Sequence, residues 1–147
     1  MHTAFTPEGV VLTKGEATTG RLELNLSAQP DLAQTLVVTG AMLGRPFCFS
    51  GLESLRIKET DRLAALQQEV RKLGWEVGVE GDSVMRCDAP QPAAVASAPI
   101  ATYDDHRMAL AFAPCAYRCT GLAIEHPEVV AKSYPSFWDD LKNFEQQ

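Results

Sequence analysis

The feature that most constrains the fold is an internal repeat with an offset of 74 residues. Asp31 and Asp105 each open an apolar segment with helical spacing, and 74 positions separate them. Lys58 and Lys132 each precede the next predicted helix, again 74 positions apart. Between these markers both segments predict a helix, a turn, a short strand and a loop. The chain therefore predicts two copies of a strand–helix–strand–helix unit, at roughly 20–73 and 83–147, in an α/β domain.

A cluster of charges lies directly ahead of one of these predicted helices. Five ionisable residues fall within seven positions: Arg56, Lys58, Glu59, Asp61 and Arg62. An apolar face at helical spacing follows: Leu63, Leu66, Val70 and Leu73. We take Thr60 as the N-cap of this helix and Gly74 as the residue that ends it. Arg62 then lies in the first turn, where the helix dipole disfavours a cation unless a negative group lies close by.

A second helix start repeats this arrangement. Asp104 or Asp105 can cap a helix whose following residues, 108–113, are almost entirely apolar, as in a buried helix. His106 and Arg107 occupy its first turn, again at the end that disfavours cations. This cluster therefore also indicates a negative partner for its cations.

A third cation, Lys132, stands ahead of Pro135, which we interpret as the first-turn proline of a closing helix that ends near Phe144. For any single cluster the simplest interpretation is a solvated surface charge. Recurrence at three helix starts, in a chain with formal net charge -6, favours a shared binding site for an anion.

Length and composition bound the class of protein. The 147 residues suffice for one domain with a sizeable core, and 46% hydrophobic with 22% charged residues is typical of soluble globular proteins. No apolar segment is long enough to span a membrane and the first residues lack a signal-peptide pattern, so we expect a cytoplasmic protein without a membrane partner. The sequence lacks the stripe of basic residues that would indicate nucleic acid binding. The four cysteines form no CxxC pair, which favours buried reduced thiols over a metal site.

The remaining elements follow from alternation and turn residues. Predicted strands are VVLTK between Gly9 and Gly15, Gly20–Leu26, Pro46–Leu52, Ile100–Tyr103 and Leu122–Glu125. Other predictions are a helix from Pro30 to about Met42 that stops at Gly44, a hairpin joining Trp75–Val79 to Ser83–Cys87, and a loop over Pro90–Pro99. Pro114 lies inside a helical pattern and predicts a kink or a break there.

The clustered charges suit a small anionic substrate. Arg62 and Arg107 can hold carboxylate or phosphate oxygens in a planar fork, and Lys58 and Lys132 add point charges. Carboxylates lie among these cations, and a neighbouring cation favours their ionised form, which acts as a base or acceptor. There is neither a metal-ligand motif nor a glycine-rich nucleotide loop. The residues themselves thus predict acid–base chemistry on an anion, without a metal.

Three motifs carry a resemblance to a known family. They are LRIKETDR at 55–62, YDDHRMA at 103–109 and KSYP at 132–135. In order and spacing they resemble the C-terminal signatures of the 5-enolpyruvylshikimate-3-phosphate synthase family of enolpyruvyl transferases. The resemblance covers nearly the whole chain but only the last part of such an enzyme. It implies that residues 1–147 are a partial C-terminal domain with the family's inside-out α/β barrel fold, in which each of two domains contains three repeated units.

The resemblance also implies an activity. The family transfers the enolpyruvyl group of phosphoenolpyruvate to the 5-hydroxyl of shikimate 3-phosphate and releases phosphate, a step toward aromatic amino acids, without any cofactor. A fragment without the N-terminal domain is expected to be inactive alone. The sister enzyme that acts on UDP-N-acetylglucosamine, or a non-catalytic anion-binding or assembly module, remain as alternatives.

The resemblance assigns roles to particular residues. Asp31 corresponds to the residue that contacts the shikimate hydroxyls and accepts the attacking proton, and Glu59 to the group that moves a proton to and from the enol methylene. Lys58 corresponds to a contact to shikimate 3-phosphate, and Ser54 stands where several family members have Asn at a substrate contact. The clamp for phosphoenolpyruvate, and for the competing inhibitor glyphosate, corresponds to Arg62, Arg107 and Lys132.

Overall fold

A mixed four-stranded sheet forms the centre of the computed structural model, which describes residues 2–16, 20–58, 60–88 and 96–145. Its strands are β3 (Leu22–Asn25), β4 (Phe47–Ser50), β5 (Gly78–Glu80) and β6 (Val84–Cys87), in the order β3-β4-β6-β5. β3 and β4 are parallel, whereas β6 runs antiparallel to both β4 and β5. The parallel pair requires a crossover between its strands, and a helix supplies it.

A separate two-stranded hairpin precedes this sheet. β1 (His2–Thr6) and β2 (Gly9–Thr13) pair antiparallel, with Phe5 opposite Val10. Every residue of both strands is exposed. The predicted VVLTK strand is thus present, whereas its partner β1 was missed because the segment HTAFT carries only one large apolar residue.

The described residues contain four α-helices and four 3-10 segments. The α-helices are α1 (Ala33–Met42), α2 (Arg62–Lys72), α3 (His106–Phe112) and α4 (Phe137–Glu145). The 3-10 segments are Pro30–Leu32, Glu53–Ile57, Ala113–Tyr117 and Pro127–Lys132. The predicted break at Pro114 is confirmed, since α3 ends at Phe112 and a 3-10 turn continues the chain. No helix in the described part of the chain is long and apolar enough to cross a membrane.

The core lies between the four-stranded sheet and helices α1, α2 and α3. Its largest fully buried side chains are Trp75, Phe47, Phe49, Phe112, Leu52, Leu55, Leu63, Leu66, Leu73, Met85, Ile100 and Met108. The apolar face predicted for α2 is therefore the face that packs inward. At Gly40 a Cβ would lie 2.9 Å from the Phe47 ring, so glycine permits α1 to approach the sheet closely.

Four local predictions are wrong. The strands predicted at 100–103 and 122–125 reduce to one parallel bridge between Ile100 and Ile124. In the described residues this pair has no neighbouring strand, whereas β4 is held by β3 on one side and β6 on the other. An isolated pair is marginally stable, so it does not extend into regular strands.

The other two errors concern helix starts. The N-cap of α2 is Asp61 and not Thr60, because the Asp61 carboxylate accepts a hydrogen bond from the Ala64 N–H at 3.1 Å. Pro135 precedes α4 instead of opening it, since the Ser136 carbonyl accepts the first helical bond, from Asp140 N–H at 3.0 Å. Serine is a preferred residue type at the N-cap position, unlike proline. Most of the predicted loop at Pro90–Pro99 lies outside the described residues.

Candidate anion-binding site

The start of α2 is held by its own charged residues. Asp61 caps the helix and also binds Arg56, whose Nη1 lies 2.8 Å from Asp61 Oδ2. Arg56 reaches further, to the Gly81 carbonyl at 3.1 Å in the β5–β6 turn. Burial opposes ionisation of Asp61, but hydrogen bonds from Ala64 N–H and Arg56 together keep its pKa below the usual value. Two of the five clustered ionisable residues therefore stabilise the fold.

Arg62, the first residue of α2, lies buried between two carboxylates. Its Nε is 2.6 Å from Asp105 Oδ2, and its Nη1 is 2.8 Å from Asp31 Oδ1. The residue is only 2% exposed. The negative partner that the sequence required at this helix start is thus supplied by two distant segments. The solvated surface charge that is the simplest interpretation of one cluster is therefore wrong for Arg62, which is buried and paired. A buried guanidinium needs such pairing to offset its lost hydration.

Asp105 is the central residue of the cluster. It caps α3, accepting a hydrogen bond from Arg107 N–H at 2.9 Å with Oδ1, while Oδ2 accepts from Arg62. Gln34 Nε2, from α1, approaches the same Oδ2 at 3.4 Å. Asp105 is 1% exposed, so both of its oxygens are committed inside the protein. One carboxylate thereby joins the starts of α2 and α3 and contacts α1.

Asp31 and Arg107 form the accessible part of the cluster. Arg107 Nη2 lies 3.2 Å from Asp31 Oδ2, and its Nη1 lies 3.5 Å from the Asp31 carbonyl oxygen. The Arg107 side chain is 37% exposed and the Asp31 side chain is 38% exposed. An ion pair at this exposure contributes about 0–1 kcal/mol, so an incoming anion can compete for Arg107 at little cost. Asp31 therefore bridges one buried and one accessible arginine.

A second buried carboxylate fixes the segment that carries Asp105. Glu69, on α2, is fully buried and accepts hydrogen bonds from Tyr103 Oη at 2.8 Å and Ala101 N–H at 2.9 Å. Lys72 Nζ lies 2.7 Å from the same carboxylate. Burial, followed by the hydrogen bond to Glu69, raises the pKa of Tyr103 to about 12. Tyr103 and Asp104 both have φ of 55°, a left-handed conformation that the Glu69 contacts hold in place ahead of the α3 cap.

The other predicted site residues that the structure describes lie within 3-10 segments or directly after one. Ser54 is half-buried within the 3-10 segment Glu53–Ile57, and Lys58 is exposed at its end. Lys132 is exposed at the end of the 3-10 segment Pro127–Lys132, which packs against α3. Glu59 lies outside the described residues. Of the seven predicted residues, the structure brings Asp31, Arg62 and Arg107 into direct contact.

Sequence reasoning missed two buried polar residues that support the site, Glu69 and Gln34. Glu69 binds the segment ahead of α3, and Gln34 contacts Asp105. Glu69 interrupts the apolar face of α2 between Leu66 and Val70, and a charge at an inward position is a signal for a buried partner. Gln34 occupies a similar inward position on α1 and is 1% exposed. Its Oε1 has no hydrogen-bond partner among the described residues.

The arrangement can bind an anion and accept a proton. Arg107 offers a guanidinium at the surface, and the half-exposed carboxylate beside it is a hydrogen-bond acceptor for a hydroxyl group. The buried Arg62–Asp105 pair keeps both groups in place. The fold and the site therefore define an α/β domain in which arginines and carboxylates meet at the helix starts, a chemistry that suits an anionic ligand.

Comparison with known proteins identifies the family. A sequence model described as EPSP synthase (3-phosphoshikimate 1-carboxyvinyltransferase) matches residues 6–141. The 3-phosphoshikimate 1-carboxyvinyltransferase of Bacteroides fragilis is 46% identical over 140 residues, which are 95% of this chain and 34% of that protein. The protein of the same name from Methanoculleus marisnigri is 37% identical over 82% of this chain and 28% of its own length. The chain belongs to the EPSP synthase family.

A solved structure agrees with the fold. The EPSP synthase of Acinetobacter baumannii superposes with a TM-score of 0.63 at 24% identity, over 74% of this chain and 25% of that one. The predicted partial enolpyruvyl-transferase fold is thereby confirmed. The chain spans about a third of the length of the curated relatives that it matches.

Proposed function

We propose that the protein to which this chain belongs transfers the enolpyruvyl group of phosphoenolpyruvate to the 5-hydroxyl of shikimate 3-phosphate. The transfer forms a C–O bond at the enol carbon and breaks that carbon's bond to the phosphate oxygen, so inorganic phosphate leaves. The observation that carries the proposal is Asp31, which bridges Arg62 and Arg107 within a chain of the EPSP synthase family.

The geometry supports different roles for the two arginines, with Arg107 contacting the ligand and Arg62 held in a fixed position. Arg107 is half-exposed and weakly paired, so it can turn toward the phosphate or carboxylate of phosphoenolpyruvate. Arg62 is held by Asp105 and maintains positive potential beneath the ligand without moving. Exposed Lys58 and Lys132 would add charge from the rim. These cations would stabilise the departing phosphate as its negative charge develops.

Asp31 is the residue that we propose to act on the acceptor hydroxyl. Its carboxylate is accessible yet fixed by two guanidinium groups, so it can accept the proton that the 5-hydroxyl loses when it attacks. Protonation of the enol methylene, which makes the neighbouring carbon electrophilic, is assigned to Glu59 by the family resemblance alone. Ser54 is proposed as a substrate contact on the same basis.

We further propose that residues 20–73 and 83–147 are two repeats of one unit and that the isolated chain is inactive. The hydrogen bond from Leu26 N–H to the Ser50 carbonyl at 2.8 Å has a counterpart from Ile100 N–H to the Ala123 carbonyl at 2.8 Å. The repeats account for only part of the relatives' length, so a substrate cleft formed with the remainder would be incomplete here. We also propose a cytoplasmic location, because the structure holds all four cysteines as thiols outside disulfides.

The test uses a chimera in which this chain replaces the matched 140-residue stretch of the Bacteroides fragilis relative. We expect the chimera, but not the isolated chain, to release phosphate when given phosphoenolpyruvate and shikimate 3-phosphate. Asp31→Asn in the chimera should lower kcat by about 100-fold or more, a typical loss for an acid–base group. Asp139→Asn, an exposed change on α4, is the matched control and should leave kcat unchanged.

Two results would refute this function. One is a chimera that folds but turns over UDP-N-acetylglucosamine in place of shikimate 3-phosphate, which would favour the sister enzyme. The other is a folded chimera that binds phosphoenolpyruvate without turnover, which would favour the non-catalytic module. A third result, the same kcat with Asp31→Asn as without it, would remove Asp31 from the chemistry.

A further inference from the structure

Residues 102–105, directly ahead of α3, form a tight turn with an unusual residue at its centre. A hydrogen bond from Asp105 N–H to the Thr102 carbonyl, at 2.9 Å, closes the turn. Its two central residues, Tyr103 and Asp104, both have φ of 55°. Positive φ at both central positions is the pattern of a type I′ turn, which favours glycine, asparagine and aspartate. Asp104 fits this preference, whereas the bulky Tyr103 is strained there and needs support from the surrounding structure.

Helix α2 supplies this support through the buried carboxylate of Glu69. Tyr103 Oη donates a hydrogen bond to Glu69 Oε1 at 2.8 Å. The other oxygen, Oε2, accepts from Ala101 N–H at 2.9 Å and lies 2.7 Å from Lys72 Nζ. Lys72 Nζ also donates to the Pro99 carbonyl at 2.8 Å. The same stretch of α2 therefore holds both the backbone that leads into the turn and the phenol within the turn.

The bond between Tyr103 and Glu69 joins this segment to α2 at a point distant from the Arg62–Asp105 pair. Arg62 and Glu69 are seven positions apart in α2, which is about 10 Å along the helix axis. One attachment alone would let the segment pivot about it, whereas two separated attachments fix its orientation. Arg107 lies in the first turn of α3, directly after this segment. The direction of its guanidinium therefore depends on both attachments.

We propose that Tyr103 and Glu69 are positioning residues for Arg107, the arginine that contacts phosphoenolpyruvate in the proposed function. The hydrogen bond between them keeps the strained turn formed, and the turn sets where α3 begins and how Arg107 approaches Asp31. Glu69 is fully buried, so it acts through the segment that it holds and not on the ligand itself. This role rests on the proposed function, because it takes Arg107 as the ligand contact.

The experiment removes the phenol oxygen and then restores the turn by a different route. Tyr103→Phe keeps the ring and loses the hydrogen bond to Glu69. Adding Asp104→Gly places glycine, which adopts positive φ without strain, at an exposed position of the same turn. Asp104→Gly alone measures the effect of removing that charge, so rescue is counted only beyond it. Tyr117→Phe, at an exposed tyrosine beyond α3, is the matched control for loss of a hydroxyl group.

Each variant of the Bacteroides fragilis chimera is measured in two ways. Hydrogen exchange of a peptide that covers residues 102–107 reports closure of the turn, and titration with phosphoenolpyruvate gives Kd. Tyr103→Phe should exchange about tenfold faster or more, since a hydrogen bond to a charged group contributes about that factor. We expect its Kd to rise about threefold or more. A threefold rise corresponds to a turn formed in about a third of the molecules, because apparent affinity scales with that fraction.

Both effects should be reversed when Asp104→Gly is added to Tyr103→Phe, and both should be absent in Tyr117→Phe. A turn that opens without a change in Kd would overturn the proposal. So would a weaker Kd that Asp104→Gly does not restore, because the phenol would then act by a route other than the turn. A chimera that binds phosphoenolpyruvate without turnover would refute the proposed function and leave this comparison of Kd values valid. A chimera that does not bind phosphoenolpyruvate at all would overturn both.

Discussion

Arg62 Nε lies 2.6 Å from Asp105 Oδ2, so the first residue of α2 is bonded to the residue that caps α3. Both groups are buried, and the two residues are 43 positions apart in the chain. This contact fixes the relative position of two helix starts, and the accessible pair of Asp31 and Arg107 is built upon it. Stability and ligand binding should therefore respond to different members of the same cluster.

Asp105→Asn is expected to destabilise the chain strongly. Removing one partner of a buried ion pair leaves an uncompensated charge, which costs about 3–5 kcal/mol. The measurement is the free energy of unfolding in urea. Asp104→Asn is the control, because Asp104 is exposed and its left-handed backbone tolerates asparagine. Equal losses for the two variants would mean that the Arg62 contact contributes nothing.

Arg107→Ala is expected to lose anion binding without losing stability. The ion pair with Asp31 is half-exposed, so its removal should cost less than about 1 kcal/mol of unfolding free energy. Phosphoenolpyruvate titrated into the isolated chain should bind at about millimolar Kd, equivalent to about 4 kcal/mol, and more weakly as salt is added. Arg71→Ala, another exposed arginine, should leave binding intact. Salt-independent binding, or binding that survives Arg107→Ala, would place the anion elsewhere.

Alkaline pH should weaken the fold through Tyr103. Its pKa rises from 10.0 to about 12 in the folded chain, first because of burial and then because of Glu69. The neutral phenol is thus favoured by folding, so its contribution is complete below pH 10 and is lost as the pH rises to about 12. We expect the urea midpoint to fall across this window. In Tyr103→Phe that part of the pH dependence should be absent, and an unchanged slope would assign it to other groups.

Gly40→Ala should destabilise the packing of α1 on the sheet. The added Cβ would lie 2.9 Å from the Phe47 ring, and overpacking of this kind costs about 1–3 kcal/mol. Gly78→Ala is the control, since its Cβ would have ordinary contacts with Arg86 at 3.7 Å and beyond. Thermal unfolding of the two variants should separate them by several degrees, whereas similar melting temperatures would show that α1 adjusts freely.

Local sequence signals predicted the elements well, and long-range contacts account for most of the errors. The α2 face, the turn at Gly74 and the end of α3 before Pro114 depend on residues near in sequence. The segments at Ile100 and Ile124 have similar local signals, but regular strands there require a further neighbour. At the start of α2, Thr60 and Asp61 are both good caps, and hydrogen-bond geometry alone decides between them.

The sequence predicted that Asp31, Arg62 and Arg107 share a site, and the structure brings them into contact, but the sequence did not predict the pairing of each charged group. A cation in the first turn of α2 implied that a negative group must approach Arg62. The sequence could not indicate that this group is Asp105, because the choice depends on how α3 packs. Glu69 illustrates the same limit, since its partners Tyr103 and Ala101 lie more than 30 positions away.

The contacts among Asp31, Arg62 and Arg107 also imply that a bound anion would change the free energy of unfolding. These residues come from three segments, and the contact between Arg107 and Asp31 joins positions 76 apart. An anion bound there would exist only while all three segments are folded, so occupancy and folding are linked equilibria. At a ligand concentration ten times Kd, the linkage adds about 1.4 kcal/mol to the unfolding free energy. Even a weakly binding, inactive chain can therefore report its ligands through its melting temperature.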